Sequence, residues 1–357
     1  MSAPLESLAR RRGEWLRGDG PQHEIVISTR IRLARNLRGY PFLSRASAEQ
    51  RNEIAEVLTT AIGKSADLRE FVQVDIERLE ELDRQLLVER HLISRQHAEG
   101  NGARRVAFAP DESAALMINE EDHLRIQVMR SGLQLDDAWE RISAIDDALA
   151  ASVEFEFHAQ FGFLTACPTN VGTGIRVSVM LHLPALRLTN ELEKVAQAAR
   201  DMKLAVRGLF GEGTEALGDF FQISNQITLG RTEAEFIDDF RDQVIPRIVE
   251  YEQTARKALV RSKPQALDDK IWRAVGVLQN ARLMSSNEAL QCLSHVRMGL
   301  HTGRLKRIDL ETVNELFLQT QQAHLQKLQG ERLTGEQRSV ARAALMRARL
   351  NGVGRNN

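Results

Sequence analysis

Seven consecutive residues, Asn119-Glu120-Glu121-Asp122-His123-Leu124-Arg125, put three carboxylates, an imidazole and a guanidinium side by side. A carboxylate can take a proton from a reacting group or grip a cationic one. A guanidinium fork binds phosphate or carboxylate through two parallel hydrogen bonds. Residues 114–118 before this stretch are apolar. After it Leu124, Ile126 and Val128 alternate with Arg125, Gln127 and Met129. The pattern predicts a hairpin of strand, acidic turn and strand, with Arg125 on the polar face of the second strand.

Arginines recur at the same kind of position. In residues 24–33, Ile25, Ile27, Thr29, Ile31 and Leu33 take one face of a predicted strand, and Val26, Ser28, Arg30 and Arg32 the other. In residues 175–183, Ile175, Val177, Val179 and Leu181 oppose Arg176, Ser178, Met180 and His182. Arg207 closes a short strand over 204–207, just before Gly208-Leu209-Phe210-Gly211-Glu212-Gly213. If these strands share one antiparallel sheet, the arginines converge on one surface. Like charges that close need a polyanion. The glycine-rich runs 172–174 and 208–213 would let backbone amides approach it. The residues therefore suggest a nucleoside triphosphate laid on a sheet. The plainer alternative stays open at this point, because 40 of the 48 basic residues are arginine and solvated sheet faces often carry them. Neither a Walker A sequence nor a protein-kinase glycine loop is present.

These strands need a scaffold, and the chain supplies one. Its 357 residues suffice for two domains and a large core; 43% apolar and 27% charged residues are ordinary for a soluble globular protein. A net charge of −1 gives no global field for nucleic acid or membrane. Two cysteines, Cys167 and Cys292, make no disulfide framework. No run reaches the roughly 18 apolar residues of a membrane span, no apolar stretch marks a secretory leader, and no Cys/His spacing suggests zinc. The expected location is cytoplasmic. Periodicity predicts a short helix and a Gly-Asp-Gly-Pro turn before residue 22. Helices follow over 47–62, 76–83 and 135–151, a strand over 86–94 carrying His91, and a strand over 105–109. Residues 154–157 and 161–164 flank a turn, 191–202 is helical, and 220–229 reads as a strand pair. Thr232 with Glu235 three residues on caps one long helix to about residue 259. Beyond Lys263-Pro264 no strand pattern recurs. Helices are expected over 267–283, 286–300, 309–328 and 335–351, with Ser286, Asp309 and Thr334 as N-caps. The fold class is α+β, with a large antiparallel sheet flanked by helices and then an all-α C-terminal domain. The expected divisions are a segment 1–22, a catalytic domain 23–258 and a helical domain 259–357.

Ser28-Thr29-Arg30-Ile31-Arg32, the 119–125 stretch, Cys167-Pro168-Thr169-Asn170 with Gly172-Thr173-Gly174 and Arg176, and Arg207-Gly208 through Gly211-Glu212 together resemble the phosphagen (guanidino) kinases over about residues 23–256. The chain is most similar to the bacterial branch that phosphorylates arginine side chains in proteins: it lacks a separate helical domain before the first strand and carries a C-terminal helical extension. That resemblance implies ATP and Mg²⁺ as cofactors. It implies that Ser28, Thr29, Arg30, Ile31, Arg32, His91, Arg125, Arg176, Val177, Ser178, Val179, Met180, Arg207, Gly208, Leu209, Phe210, Gly211 and Glu212 bind the nucleotide. It also implies Glu121 as the base that takes a proton from the acceptor guanidinium, Glu212 as a second carboxylate gripping that group, and Cys167 as the cysteine beside it.

The branch's RDxxRA motif aligns with Arg338-Ser339-Val340-Ala341-Arg342-Ala343. Arg338, Ser339, Arg342 and Ala343 are then the expected allosteric phosphoarginine site, with Ser339 standing where the branch has aspartate. Protein substrates presented through arginine, an activator protein, Clp-type protease machinery and a homodimer are the implied partners. Glu120 and Asp122 are expected to orient the turn or to be solvated rather than catalytic, and His123 and His182 to be structural. Two other readings stand beside this one: a kinase of free arginine or another small guanidine, and a phosphoarginine-binding adaptor without turnover. The basic stretch 338–349 is read as a solvated or dimer-facing helix rather than a nucleic-acid site.

Overall fold

The computed structural model describes residues 3–208 and 217–350. A first helix, α1 (Ala3–Leu8), and a 3-10 turn (Glu14–Leu16) lead into β1 (Val26–Arg35). Then come α2 (Ala48–Lys64), β2 (Val72–Asp75), α3 (Glu81–Glu89), α4 (Arg95–Glu99), β3 (Arg105–Phe108), β4 (Ala114–Ile118), β5 (Leu124–Ser131) and α5 (Leu135–Ala150). A small hairpin, β6 (Phe157–His158) and β7 (Gly162–Phe163), precedes β8 (Ile175–His182), α6 (Pro184–Leu188), α7 (Leu192–Asp201) and β9 (Leu204–Gly208). β10 (Phe220–Asn225), α8 (Glu233–Asp239) and α9 (Ile245–Ser262) follow, and the chain continues as α10 (Pro264–Asn280), α11 (Ser286–His301), α12 (Leu310–Gln319), α13 (Gln322–Gln329) and α14 (Gly335–Leu350).

Eight strands form one antiparallel sheet in the order β2-β3-β4-β5-β1-β8-β10-β9. The alternation read in the sequence sets its two faces. Ile31, Leu33, Ile126, Val128, Val177 and Val179 are fully or almost fully buried in the main core, against Ile142 and Ile145 of α5 and Ile54 and Leu58 of α2. Burying one such side chain contributes roughly 1.5–3 kcal/mol, so a slip by one residue would expose the whole set. α2 is started by a reciprocal cap, with Ser47 Oγ accepting from Gln50 N and Gln50 Oε1 accepting from Ser47 N. A second core lies on the other face of β2–β4, where Phe108, Met117 and Val106 meet Leu5, Leu8, Leu86, Leu87 and Ala323.

Several elements differ from the sequence reading. Residues 86–94 are not a strand. Leu86 and Leu87 belong to α3, and His91 follows it in a turn with φ 58°. A short apolar run fits a buried helix as well as a buried strand, and the second core decided it. Residues 220–229 hold one strand rather than two, and residues 184–188, to which the sequence reading gave no element, form α6. The helix after Thr232 is interrupted by a wide turn at Phe240–Val244, just before Pro246, which has no N–H to donate. The predicted helix 309–328 breaks at Thr320-Gln321, because the Glu89 carboxylate accepts from the N–H groups of Ala323 and His324 and so starts α13. Ser285, not Ser286, caps α11; Asp309 caps α12, and Thr334 with Gln337 caps α14.

Candidate active site

On the face of the sheet opposite α5, the strands line up their long polar side chains. Arg32 lies directly across from Arg176 on β8 and from Gln127 on β5. Arg30 lies across from Ser178 and Met129, and Ser28 across from Met180. Arg125 pairs with Ala34, one rung beyond Arg32. Arg32, Arg125, Arg176 and Arg207 line one cleft of about 310 Å³ together with Glu121 and Cys167. The convergence expected from alternation is therefore present, and four separate strands supply it.

Its electrostatics are those of an anion site. Burial and the charges of Arg176, Arg207 and Arg125 push Arg30 down to about 10. Burial, then Arg30, Arg176 and Arg125, pull Arg32 well below its ordinary value. Burial and the neighbouring Arg30, Arg32 and Arg95 hold His91 neutral, at about 3. Arg32 Nε is buried with no hydrogen-bond partner. A buried donor left unpaired is costly, and a phosphate oxygen satisfies it while offsetting the mutual repulsion. The residues present thus fit a polyphosphate.

The acidic turn divides into two roles. Glu120 is 2% exposed, pairs with Arg125 at 2.5 Å and accepts from Ser94 Oγ at 2.5 Å. Burial raises its pKa, but Arg125, Ser94 and His97 outweigh that and hold it below the usual carboxylate range. Asp122 is fully buried, accepting from Asn36 Nδ2 at 2.8 Å and Ala166 N at 2.7 Å. His123 Nδ1 accepts from Leu37 N, and its Nε2 bonds Pro41 O. These three fix the turn. Glu121 is left partly exposed in the cleft, with Arg125 Nη2 donating to its Oε2 at 3.0 Å. Cys167 Sγ lies 3.1 Å from Thr169 Oγ1. Glu121 and Arg125, assigned in sequence to the acceptor and the donor, are thus bonded to each other.

Other predicted site residues sort by face. Thr29, Ile31, Val177 and Val179 turn their side chains toward the core, and Thr29 Oγ1 donates to Gly132 O at 2.8 Å. Gly208 pairs with Phe221. Leu209, Phe210, Gly211 and Glu212 lie outside the described residues. Gly174 lines the cleft as the glycine run was expected to, and both Gly172 and Gly174 have a further use. A side-chain carbon on Gly172 would meet Thr228 O at 2.8 Å and one on Gly174 would meet Ala34 O at 2.7 Å, both at positive φ. They let two backbones cross closely. His182 is structural, buried between Ser294 Oγ at 2.9 Å and Arg297 Nη1 at 2.9 Å.

Sequence reasoning missed the supports. Asn36 holds both Asp122 and the His123 N–H, Gln127 Nε2 donates to His91 O at 2.6 Å, and Gln222 Oε1 accepts from Arg30 at 3.1 Å. Alternation marked Gln127 as cleft-facing. Nothing in the sequence marked Asn36.

At the C-terminal site, Arg342 is buried and donates to Thr320 O at 2.8 Å and Met284 O at 2.9 Å. Arg338 Nη1 donates to Leu333 O, and Ser339 Oγ to Gly335 O. Burial, then the charge of Arg338, lowers Arg342. Ala343 is buried beneath them. Arg347 and Arg349 bond Ala281 O and Glu315.

An antiparallel sheet presenting an arginine cluster beside a glutamate and a cysteine defines the ATP:guanido phosphotransferases, a class of kinases. The chain belongs to that family: the model of its C-terminal catalytic domain matches residues 53–255. Residues 264–357 match the protein-arginine kinase McsB C-terminal domain. A protein-arginine kinase of Moorella thermoacetica is 45% identical over 99% of this chain and 100% of its own. One from Halothermothrix orenii is 44% identical over 94% and 96%. Among solved structures, a lombricine kinase aligns with a TM-score of 0.58 at 27% identity, covering 71% of each chain. The duplicated taurocyamine kinase of Schistosoma mansoni, with bound transition-state-analogue components, shares the fold at TM-score 0.55 and 24% identity, over 66% of this chain and 33% of that one.

Proposed function

We propose that this kinase transfers the terminal phosphoryl group of ATP to a guanidinium nitrogen of arginine side chains in proteins. The observation that carries the reading is the single cleft in which Arg32, Arg125, Arg176 and Arg207 face Glu121 and Cys167. The names of the full-length relatives supply the protein-borne acceptor. A guanidinium is protonated at neutral pH and is then a poor nucleophile. As its nitrogen bonds the γ-phosphorus and the bond to the β-phosphate oxygen breaks, Glu121 takes the proton and ADP leaves. Glu212 is assigned the second grip on the acceptor, and Cys167 a place beside it. The arginines offset charge on the transferring group, and in such reactions this electrostatic stabilisation supplies most of the rate enhancement. Arg125 holds only Oε2 of Glu121, and a carboxylate accepts several hydrogen bonds, so acceptor binding and phosphate binding meet at one pair. Among the described residues no group of three or more His, Cys, Asp or Glu is placed to hold a metal ion; Mg²⁺ is assigned to the nucleotide's phosphate oxygens, whose charge it neutralises when bound.

The division into residues 1–22, 23–258 and 259–357, a phosphoarginine site at Arg338, Ser339, Arg342 and Ala343, a homodimer, an activator partner, a cytoplasmic location and a role in regulation or Clp-type degradation belong to the same proposal. Incubation with Mg·ATP and a folded protein, and separately with free L-arginine, tests it. Acid-labile, alkali-resistant phosphate on the protein alone is the expected result. Label on free arginine would establish the small-guanidine reading instead, and no transfer to either would support an adaptor.

A further inference from the structure

Solvent-exposed apolar side chains gather at one end of the sheet. β1 leaves the sheet at Arg35, and the hairpin of β6 and β7 hangs on its exit: Leu37 bridges Phe155, and Glu156 N donates to Asn36 O at 2.7 Å. This hairpin carries Phe157 and Phe161, 58% and 45% exposed. Residues 225–231 follow β10 at the same end. There Asn225 Oδ1 accepts from Val177 N and its Nδ2 donates to Ile175 O, at the start of β8. This second segment carries Ile227 and Leu229, 48% and 50% exposed. Beside them Met202, also exposed, borders a hollow of about 200 Å³ lined by Leu204, Phe236 and Phe240. Of the large apolar side chains exposed among the described residues, only Tyr251, Trp272, Leu283 and Val340 lie elsewhere. Exposed apolar residues scattered singly are ordinary, whereas a cluster marks a surface that meets a partner.

Both segments pack on one loop, and that loop lines the cleft: Cys167, Thr169, Asn170 and Gly174 border it together with Glu121. From the hairpin, Phe163 N donates to Gly172 O at 2.7 Å. From the other side, Thr228 Oγ1 donates to Val171 O at 2.7 Å, with Thr169 O at 3.1 Å. The hairpin is also tied to the acidic turn, because Asn36 Nδ2 donates both to Leu164 O and to Asp122, the neighbour of Glu121. The apolar side chains therefore flank the cleft at its Glu121 and Cys167 end. A guanidinium that reaches that end from a protein brings polypeptide with it. Three extended residues on each side of an arginine reach about 10 Å each way, so the flanking chain crosses this rim. A small free guanidine would make no use of such a surface.

We infer that this apolar rim is the docking surface for the protein substrate, and that it takes an extended segment with apolar side chains flanking the target arginine. This rests on the reading that the acceptor guanidinium is carried by a protein. The test gives the full chain two peptides of equal charge, each with one arginine, one flanked by leucine and valine and the other by serine and glycine. The wild-type kcat/KM should be roughly tenfold higher for the apolar-flanked peptide, the size expected when one or two apolar side chains are partly buried on docking. Phe157→Ser combined with Leu229→Ser, one substitution in each segment, should remove most of that preference through KM. Phe161→Ser combined with Ile227→Ser is the second such variant. Their ATP affinity, their melting temperatures and their rates on the serine–glycine peptide should stay at wild-type values. Equal kcat/KM for the two peptides in the wild type, or an undiminished preference in both variants, would overturn the assignment. An undiminished preference with a smaller sedimenting species would give the rim to a second copy of this chain instead. Label on free L-arginine, with none on either peptide or on a folded protein, would overturn the protein-acceptor reading itself.

Discussion

Glu121 is one hydrogen bond from Arg125 and partly open to the cleft, whereas its neighbours Glu120 and Asp122 are sealed. That difference predicts Glu121→Gln to lower kcat by about 10²–10⁴, the usual worth of a general base, while ATP affinity stays near wild type. An unchanged rate would remove Glu121 from the mechanism. Asn36 acts one layer back. Its Nδ2 serves Asp122 and Leu164 O, and its Oδ1 the His123 N–H. Asn36→Ala should cost about 1–3 kcal/mol in urea unfolding, because Asp122 and a backbone N–H lose partners, and should lower kcat by shifting the turn. A stable variant at full rate would show the turn to be held without it. The residue types at 119–125 were readable from sequence. Which carboxylate faces the reaction was not, because that depends on Ser94, Asn36 and Ala166, all distant in the chain.

Among the elements, β8 shows how a short segment positions chemistry. It enters the sheet through Gly174, whose φ of 69° and contact with β1 exclude a side chain, and two residues later it presents Arg176. Gly174→Ala should destabilise the fold by roughly 1–3 kcal/mol through the strained φ and the clash with Ala34 O. It should also weaken ATP binding, since Arg176 shifts with the strand; calorimetry and nucleotide titration measure both. Wild-type ATP affinity in a folded Gly174→Ala would mean that the crossing does not set Arg176. The alternation of β1, β5 and β8 was legible because one face of each is core. α3 was not, because its apolar run carries no period long enough to separate helix from strand. The break before α13 was hidden as well: its cap is Glu89, more than 200 residues earlier in the chain.

At the scale of the molecule, the apolar core does not stop near residue 260. Phe317 of α12 packs against Phe220 of β10 with ring centroids 4.8 Å apart, and both belong to the main core. Buried charge also crosses. Arg90 after α3 bonds Glu112 at 2.6 Å and reaches His324 of α13, which bonds Glu89. Phe317→Ala should cost about 3–5 kcal/mol and lower the melting of sheet and C-terminal helices together in one calorimetric transition; two separate transitions would show the core to be divided. The buried histidines set a pH dependence. Burial and nearby cations lower His91 to about 3, and burial lowers His97 to about 4. In the unfolded chain both titrate near 6.5. Between those values the unfolded state binds more protons, so their stabilisation is complete above about pH 6.5 and declines as pH falls toward 4. The urea midpoint should drop between pH 7 and 5, and less steeply in His97→Asn; identical slopes would exclude His97.

The sequence by itself determined which faces of β1, β5 and β8 carry arginine, the acidic hairpin turn between β4 and β5, the passage to an all-helical C-terminal stretch, and the family, because local alternation and motif spacing are properties of neighbours in the chain. Only the tertiary structure decided that Glu120 and Asp122 brace while Glu121 faces the cleft, and that Gly172 and Gly174 serve backbone crossing. Those outcomes depend on burial and on partners from remote segments, which no periodicity in the chain encodes.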